Sequence, residues 1–187
     1  MKIKVLSSSD CELSKSGILE NLKYLDSKLR ENEMFGELLV FGGAVMCLGL
    51  NARQSTKDID AIFYPKSDMR TLISEVAEEN NLAEDWINDG VKGFASENGE
   101  YTRFGEDIFT NLTINMAIPE YMLAMKCLSC RIGYQDSKDT QDIKFLIDYL
   151  GIESAEEAEE IICRYYPESM FPVRTHYVLV NIFGEIK

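Results

Sequence analysis

The sequence predicts an α+β fold in which a small mixed β-sheet with flanking helices is followed by a helical C-terminal half. In the first 118 residues, short apolar runs bounded by glycine or proline alternate with amphipathic helical patterns. From there to about residue 166 the pattern is helical. The chain is 45% hydrophobic and 27% charged, as globular domains are. We therefore expect an α/β core with an N-terminal helix over residues 1–118 and a helical part packed on it over residues 119–187.

Helices and strands alternate along the predicted core. Residues 1–9 fit a short strand or a loose arm, and Ser14 or Ser16 caps an amphipathic helix that ends near Gly36. The apolar run 38–41 predicts a buried strand. The remaining predictions are a short helix over 44–50, a strand over 58–64 ended by Pro65, a helix capped by Ser67 that runs to Asn80, an irregular segment over 90–105 and a strand over 112–116.

The second half contains three predicted helices. Pro119 suits the first turn of a helix that continues to Ile132, and residues 139–150 form the next helix. Ser154 and Glu157 form a capping box before a third helix, which ends near residue 166. The last segment, 173–183, is of uncertain type.

Charge and composition argue against several classes of protein. The 32 acidic residues outnumber the 19 basic ones, so the net charge is −13. This disfavours broad contacts with nucleic-acid backbones, which need clustered lysine and arginine. No apolar run approaches the roughly 20 residues of a membrane span, and residues 1–10 do not form a signal peptide. The five cysteines therefore predict reduced thiols and a cytoplasmic location, with no membrane partner.

The most informative stretch joins a double glycine to two closely spaced aspartates. Asp58 and Asp60 are two residues apart on a predicted strand, so their side chains point the same way, about 6.6 Å apart along the backbone. Carboxylates are the ligands that Mg²⁺ prefers, and this ion keeps positions open for phosphate oxygens. Gly42 and Gly43 let backbone N–H groups and a helix N-terminus approach an anion. Each pattern alone is more common as a turn or a solvated pair, but the combination predicts a site for a metal-chelated triphosphate.

Gly42-Gly43, fourteen intervening residues and Asp58-Ile59-Asp60 resemble the signature of the DNA polymerase β-like nucleotidyltransferase superfamily. Other stretches resemble an uncharacterised bacterial group related to the abortive-infection type IV toxins. They are Arg53-Gln-Ser-Thr56-Lys-Asp58-Ile-Asp60, Trp86-Ile-Asn88-Asp89 and Leu123-Ala-Met-Lys126 followed by Lys138-Asp139-Thr-Gln-Asp142-Ile143. The resemblance covers about residues 16–166. It implies a nucleotidyltransferase-like core in which the glycine turn holds nucleotide phosphates, while Asp58 and Asp60 hold Mg²⁺ or Mn²⁺ and are catalytic.

Four further residues are predicted to bind the nucleotide. Lys126 lies on an apolar helix face, where burial requires an anionic partner, either Asp142 or a bound triphosphate. In the resembling toxins the matching lysine contacts nucleotide phosphates and the matching aspartate supports the site. Arg53 and Thr56 lie on the loop before the aspartates, where they can clamp phosphates.

One departure from the superfamily concerns its usual third carboxylate, which comes from a later strand and acts as general base and second-metal ligand. The matching strand here, 112–116, offers Thr113 and Asn115 instead. An amide can bind a metal but cannot take a proton from a hydroxyl. Either Asp107 or Glu120 serves in its place, or the base is dispensable, or activity is reduced or lost.

We therefore expect a Mg²⁺-dependent nucleotidyltransferase that moves a nucleoside monophosphate from a nucleoside triphosphate to an acceptor hydroxyl. The acceptor is an RNA, a protein or a small molecule. The toxin relatives imply a role in a toxin–antitoxin module, with an antitoxin as partner. The alternative is a catalytically weakened module that binds nucleotide or metal and acts through a protein partner.

Overall fold

The computed structural model describes residues 12–129, 138–170 and 173–185. These residues confirm the predicted α+β fold, with seven α-helices, a five-stranded mixed sheet and a two-stranded sheet. The arm expected at residues 1–9 lies outside the described residues. The chain divides into two compact units, one made of Met1–Lys92 with Thr102–Met116 and the other of Gly93–Tyr101 with Ala117–Lys187. Among the helices of the described part, none has the length and hydrophobicity needed to span a bilayer.

The first unit is built around the larger sheet. Its helices are α1 (Lys15–Glu31), α2 (Gly42–Leu48) and α3 (Lys66–Asn80). The strands are β1 (Leu13–Ser14), β2 (Gly36–Val40), β3 (Ser55–Thr56), β4 (Ile59–Tyr64), β5 (Ile87–Asn88), β6 (Tyr101–Phe104) and β7 (Leu112–Ala117). One residue of β6, Tyr101, and one of β7, Ala117, are assigned to the second unit. β1 pairs with β3, and the larger sheet has the order β5-β4-β2-β7-β6. Strand β2 runs antiparallel to β4 and parallel to β7, and β4 runs parallel to β5.

Helices α1 and α3 cover one face of this sheet with apolar stripes. The register sets Leu38 of β2 between Phe63 of β4 and Ile114 of β7, and all three side chains are buried. Leu29 of α1 and Met69 of α3 approach Gly36 so closely that a Cβ there would overlap both side chains. Since side chains alternate along a strand, the neighbouring residues of β2, β4 and β7 point to the opposite face, which carries the half-buried polar side chains.

A buried carboxylate links α1 to the segment before β7. Asp26 Oδ1 accepts hydrogen bonds from the backbone N–H groups of Thr110 at 3.0 Å and of Asn111 and Leu112 at 2.7 Å each. Its side chain is buried on the core-facing side of α1. Three backbone donors that lead into a strand are thereby satisfied by a single side chain.

The second unit is helical in its described part. It contains α4 (Pro119–Ser129), α5 (Lys138–Leu150), α6 (Ala155–Tyr165) and α7 (Val173–Glu185). The predicted continuation of α4 to Ile132 lies outside the described residues. Ser154 caps α6 by accepting from Glu157 N–H at 3.1 Å, as its pattern predicts. The tail of uncertain type forms α7, whose buried residues recur at helical spacing as Thr175, Leu179 and Ile182.

Several predicted boundaries in the first unit shift by a few residues. Helix α1 ends at Glu31, because the chain turns at Glu33 with a φ of 56°. Helix α2 begins at Gly42 rather than at residue 44, and α3 begins at Lys66 with Pro65 in the cap position, so Ser67 is not the cap. The segment 90–105, predicted to be irregular, contains a 3₁₀ turn at Gly90–Gly93 and the strand β6. The sequence does not predict β6, because two of its four residues are exposed and it lacks a buried apolar pattern.

Candidate metal and phosphate site

Asp60 lies directly against the glycine turn. The backbone N–H of Phe41 donates to the Asp60 carbonyl at 2.9 Å, so the chain that leaves β2 runs beside the start of β4. The next residue, Gly42, has a φ of +62°, and a Cβ on it would overlap Asp60 Oδ2. Only glycine suits this backbone and this contact. The carboxylate and the turn therefore form a single feature, as the sequence pattern predicts.

Thr56 and Arg53 lie next to Gly43, the second glycine of the turn. A Cβ on Gly43 would overlap Thr56 Oγ1 and would lie 3.5 Å from the Arg53 guanidinium. Thr56 is buried, and its hydroxyl donates to the Asp58 carbonyl at 3.1 Å. This bond fixes the backbone of the first aspartate. Arg53 is half-buried and supplies positive charge next to Gly43.

Asp58 precedes β4, and its side chain is held from the edge strand β5. Asn88 donates through Nδ2 to Asp58 Oδ2 at 3.1 Å, and its Oδ1 accepts from Gly90 N–H at 3.1 Å. In the parallel β4–β5 pair, Asn88 is the register partner of Asp60. Asn88 and Asp60 therefore share one face of the sheet, and Asn88 joins the two aspartates into one cluster.

The carboxyl of Asp58 holds its proton more tightly than an ordinary aspartate. Burial raises its pKa above the usual 3.8, and the negative charges of Asp60 and Asp85 raise it further. The hydrogen bond from Asn88 and the charge of Lys57 act in the opposite direction but do not cancel the rise. Two carboxylates that repel each other at a half-buried site gain stability when a cation binds between them.

Within the described part of the chain, no third carboxylate joins this pair in a group that could hold a metal. No group of three or more His, Cys, Asp or Glu side chains that could hold a metal occurs in residues 12–129, 138–170 and 173–185. Asn115 of β7 is opposite Leu39 in the register and shares a sheet face with Asp60, but its amide donates to Glu37 at 2.7 Å. Glu37 lies further along β2 from the glycine turn, so this bond draws the amide away from Asp60.

Neither of the two substitute bases expected from the sequence, Asp107 and Glu120, belongs to a metal-holding group of three such side chains within the described residues. Asp107 is exposed in the turn after β6, and Glu120 lies in the first turn of α4, in the second unit. The residues present still fit one divalent cation, because Mg²⁺ is commonly held by one or two carboxylates together with substrate phosphates.

Lys126 and Asp142 lie together in the second unit. Lys126 Nζ is 3.0 Å from Asp142 Oδ2 and 2.6 Å from Asp139 Oδ1, and the Asp142 side chain is only 3% exposed. Burial lowers the pKa of Lys126, but attraction to Asp142 and Asp139 outweighs it, so the pKa is raised. Of the two anionic partners that the sequence allowed, the structure supplies Asp142. Contact between Lys126 and nucleotide phosphates stays a prediction.

The sequence pattern alone does not predict a role for Asn88 or Asp85. Asn88 belongs to the motif Trp86-Ile-Asn88-Asp89, yet β5 has only two residues and is too short to show strand alternation. The one local signal for this strand is Trp86, the residue before it. Trp86 is buried, and its indole N–H donates to the Ile73 carbonyl at 3.0 Å, which anchors β5.

Comparison of the chain with protein-family models, with curated proteins and with solved structures gives no match. The resemblance to nucleotidyltransferases therefore depends on the motifs in the sequence alone.

Proposed function

We propose that the first unit binds a Mg²⁺-chelated nucleoside triphosphate and transfers its nucleoside monophosphate to an acceptor hydroxyl. The observation that carries the proposal is the contact between the Asp60 carboxylate and the turn at Gly42, with Asp58 held beside it by Asn88. A structural turn alone gives no reason to keep two half-buried carboxylates together.

The same contact supports a role for a cation. A phosphate that approaches the backbone N–H groups of the turn also approaches the negative charge of Asp60. Phosphate binding next to Asp60 is therefore unfavourable unless a cation lies between them. Asp58 and Asp60 would hold Mg²⁺, and the ion would supply positive charge that stabilises the negative charge developing during transfer. Arg53 would supply further positive charge to the phosphates. Helix α2 has only seven residues, so we assign this role to Arg53 rather than to the helix terminus.

The proposed reaction needs positioning and charge more than a protein nucleophile. The acceptor oxygen forms a bond to the α-phosphorus while the bond from that phosphorus to the bridging oxygen breaks. Pyrophosphate leaves with the electron pair, and the hydroxyl proton passes to water. The protein's part is to hold Asp58 through Asn88 and Thr56, so that its carboxylate stays beside Asp60. A cytoplasmic location and an antitoxin partner both suit this activity and stay predictions.

A second candidate is a binding module without turnover. Two observations favour it: no third carboxylate joins the pair in a metal-holding group within the described residues, and Asn115 is hydrogen-bonded to Glu37. A protein of this kind would bind metal and triphosphate and act through a partner, without releasing pyrophosphate.

Two measurements on the full chain test these proposals. Calorimetry with Mn²⁺ and α,β-methylene-ATP, whose α–β bridge cannot be cleaved, should show binding that requires the metal and is lost in Asp58→Asn and Asp60→Asn. Asp148→Asn, an exposed change on α5, is the matched control and should bind as the wild type does. Binding that survives both site variants would overturn the metal-centred proposal.

Incubation with α-³²P-labelled nucleotides, Mg²⁺ and cell extract then separates transfer from binding. Label on an acceptor, lost with Asp60→Asn, supports the enzyme. Binding without label transfer or pyrophosphate release supports the second candidate.

A further inference from the structure

A groove of about 830 Å³ opens beside Asp58 in the first unit. Arg70 and Ile73 of α3 line one part of it, and Ile87 and Asn88 of β5 line another. The groove therefore contains one of the two proposed catalytic carboxylates together with the residue that holds it. Its volume is in the range of small-molecule sites.

The polar lining of the groove is mostly acidic. Asp58, Glu84, Asp85 and Asp89 contribute carboxylates, and Arg70 contributes a cation. Asp89 is already neutralised, because Lys66 lies 3.1 Å and Arg70 3.2 Å from its Oδ2. Neither Glu84 nor Asp85 has an ion pair with any residue of the described ranges, and both are exposed at the groove. Two carboxylates are thus left to face whatever binds there.

Three apolar side chains also line the groove. Phe63, Ile73 and Ile87 are buried and present only their edges to the groove, next to the acidic groups. A ligand that combines a carbon skeleton with positive charge matches both kinds of surface. A phosphate-rich ligand does not, because it would face the carboxylates.

A second depression, of about 630 Å³, has the opposite character. Its lining includes Lys15 and Arg53 and, among the described residues, no acidic side chain. Arg53 also lies beside the glycine turn at Gly43. The cationic side of the site therefore suits the triphosphate, which leaves the acidic groove at Asp58 for the other substrate.

We propose that the groove at Asp58 binds the acceptor, and that the acceptor is a small molecule that carries amines beside its hydroxyl group. The inference rests on the proposed function, whose reaction needs an acceptor hydroxyl next to the aspartate pair. Amines pair with Glu84 and Asp85, the skeleton lies on Phe63 and Ile73, and the hydroxyl points toward Asp58. An RNA acceptor is disfavoured, since its backbone would meet these carboxylates.

The test uses two probes with one carbon skeleton, 1,3-diamino-2-propanol and glycerol. They differ only in the replacement of two amines by hydroxyls. The full chain, labelled with ¹⁵N, is titrated with each probe, and the backbone amide signals of residues 84–90 are followed. We expect the diamine to shift these signals with an affinity about tenfold higher than that of glycerol, since two ion pairs are gained.

A charge-matched pair of variants gives the control. The double variant Glu84→Gln/Asp85→Asn should weaken diamine binding about tenfold, because both ion pairs are removed. Glu156→Gln/Glu160→Gln removes the same charge from exposed positions on α6 and should bind as the wild type does. Equal weakening in both double variants would show non-specific attraction and overturn the proposal.

Two further results would also overturn it. One is a diamine that shifts only signals outside residues 84–90. The other is a short single-stranded RNA that shifts residues 84–90 at lower concentration than the diamine does. The Mn²⁺ and α,β-methylene-ATP titration is independent of these probes. If it succeeds while the diamine fails, the acceptor inference falls and the proposed function stands.

Discussion

The Asp60 carboxylate lies where a side chain on Gly42 would have to begin. The proposed metal ligand, Asp60, therefore lies in direct contact with the proposed phosphate-binding turn. A change at the turn should act on the site through the position of Asp60, and this gives a test that does not alter either carboxylate.

Gly42→Ala should weaken metal-dependent triphosphate binding while the protein stays folded. The new Cβ would overlap Oδ2 at the far end of the Asp60 side chain, which can rotate away at little cost. Alanine at positive φ costs about 1 kcal/mol. We expect calorimetry with Mn²⁺ and α,β-methylene-ATP to show an affinity at least about tenfold lower, since the displaced carboxylate no longer binds the metal.

Gly151→Ala is the matched control. Gly151 has a φ of +67°, close to that of Gly42, but no atom within 4 Å of the Cβ position. Both variants should lose similar stability in urea, and only Gly42→Ala should lose ligand affinity. If the two variants bind alike, the contact with Asp60 has no role in the site.

The raised pKa of Asp58 predicts a distinctive pH dependence of stability. Between the unfolded value near 3.8 and the higher folded value, the folded state binds more protons than the unfolded state. The stability that Asp58 contributes is therefore fully present below 3.8 and is lost as the pH rises through the folded pKa. Asp85→Asn should lower this pKa and recover stability at neutral pH, whereas Lys57→Gln should raise it further.

Carboxyl ¹³C NMR titration of Asp58 measures the pKa directly in each variant, and urea unfolding at pH 3 and pH 7 measures the stability. Asp85→Asn and Lys57→Gln must move the NMR titration midpoint of Asp58 in opposite directions. A shift in the same direction for both would mean that a change of structure, rather than charge, controls Asp58.

The core of the fold could be predicted from the sequence, because its helices and strands are long enough to show a periodic pattern of apolar residues. The stripe on α1 and the alternation of Leu112, Ile114 and Met116 each repeat at the spacing of the element they form. The association of Gly42 with Asp60 was also predictable, since a strand, a glycine turn and a returning strand bring these positions together.

The rest of the site could not be predicted from the sequence, because it depends on short elements and on pairing between residues that are distant in the chain. Asn88 is in a two-residue strand, and its role follows from a register that only the folded sheet defines. The exposed acidic residues at 84 and 85 form part of a groove only because α3 and β5 lie beside them. No local pattern distinguishes such residues from an ordinary charged loop.

Asp26 should be a major source of stability in the first unit. Asp26→Ala leaves three backbone N–H groups without their acceptor, two of them in buried bonds. The expected loss is about 2–4 kcal/mol in the free energy of unfolding. Asp26→Asn keeps one acceptor oxygen and should lose less. Urea unfolding measures both, with Glu20→Ala on the exposed side of α1 as the control. An equal effect of Asp26→Ala and Glu20→Ala would refute this role.

The ion cluster around Lys126 should stabilise the second unit. Lys126→Met leaves Asp142 buried without its cation, at a cost of about 3–5 kcal/mol. Asp139→Asn should cost less, since the Asp139 side chain is 42% exposed. Because the pKa of Lys126 is raised above 10.5, the stability that it contributes is present below that value and is lost as the pH rises through the folded pKa.

The double variant Lys126→Met/Asp142→Leu separates structure from ligand binding. It removes the buried pair together, so most of the lost stability should return, as measured by urea unfolding. Its affinity for α,β-methylene-ATP with Mn²⁺ then tests the predicted phosphate contact in a folded protein. Wild-type affinity would make that predicted role of Lys126 wrong and leave the ion cluster as a purely structural feature. A large loss of affinity would instead mean that the lysine exchanges a carboxylate partner for phosphate oxygens, because its three N–H donors can serve both.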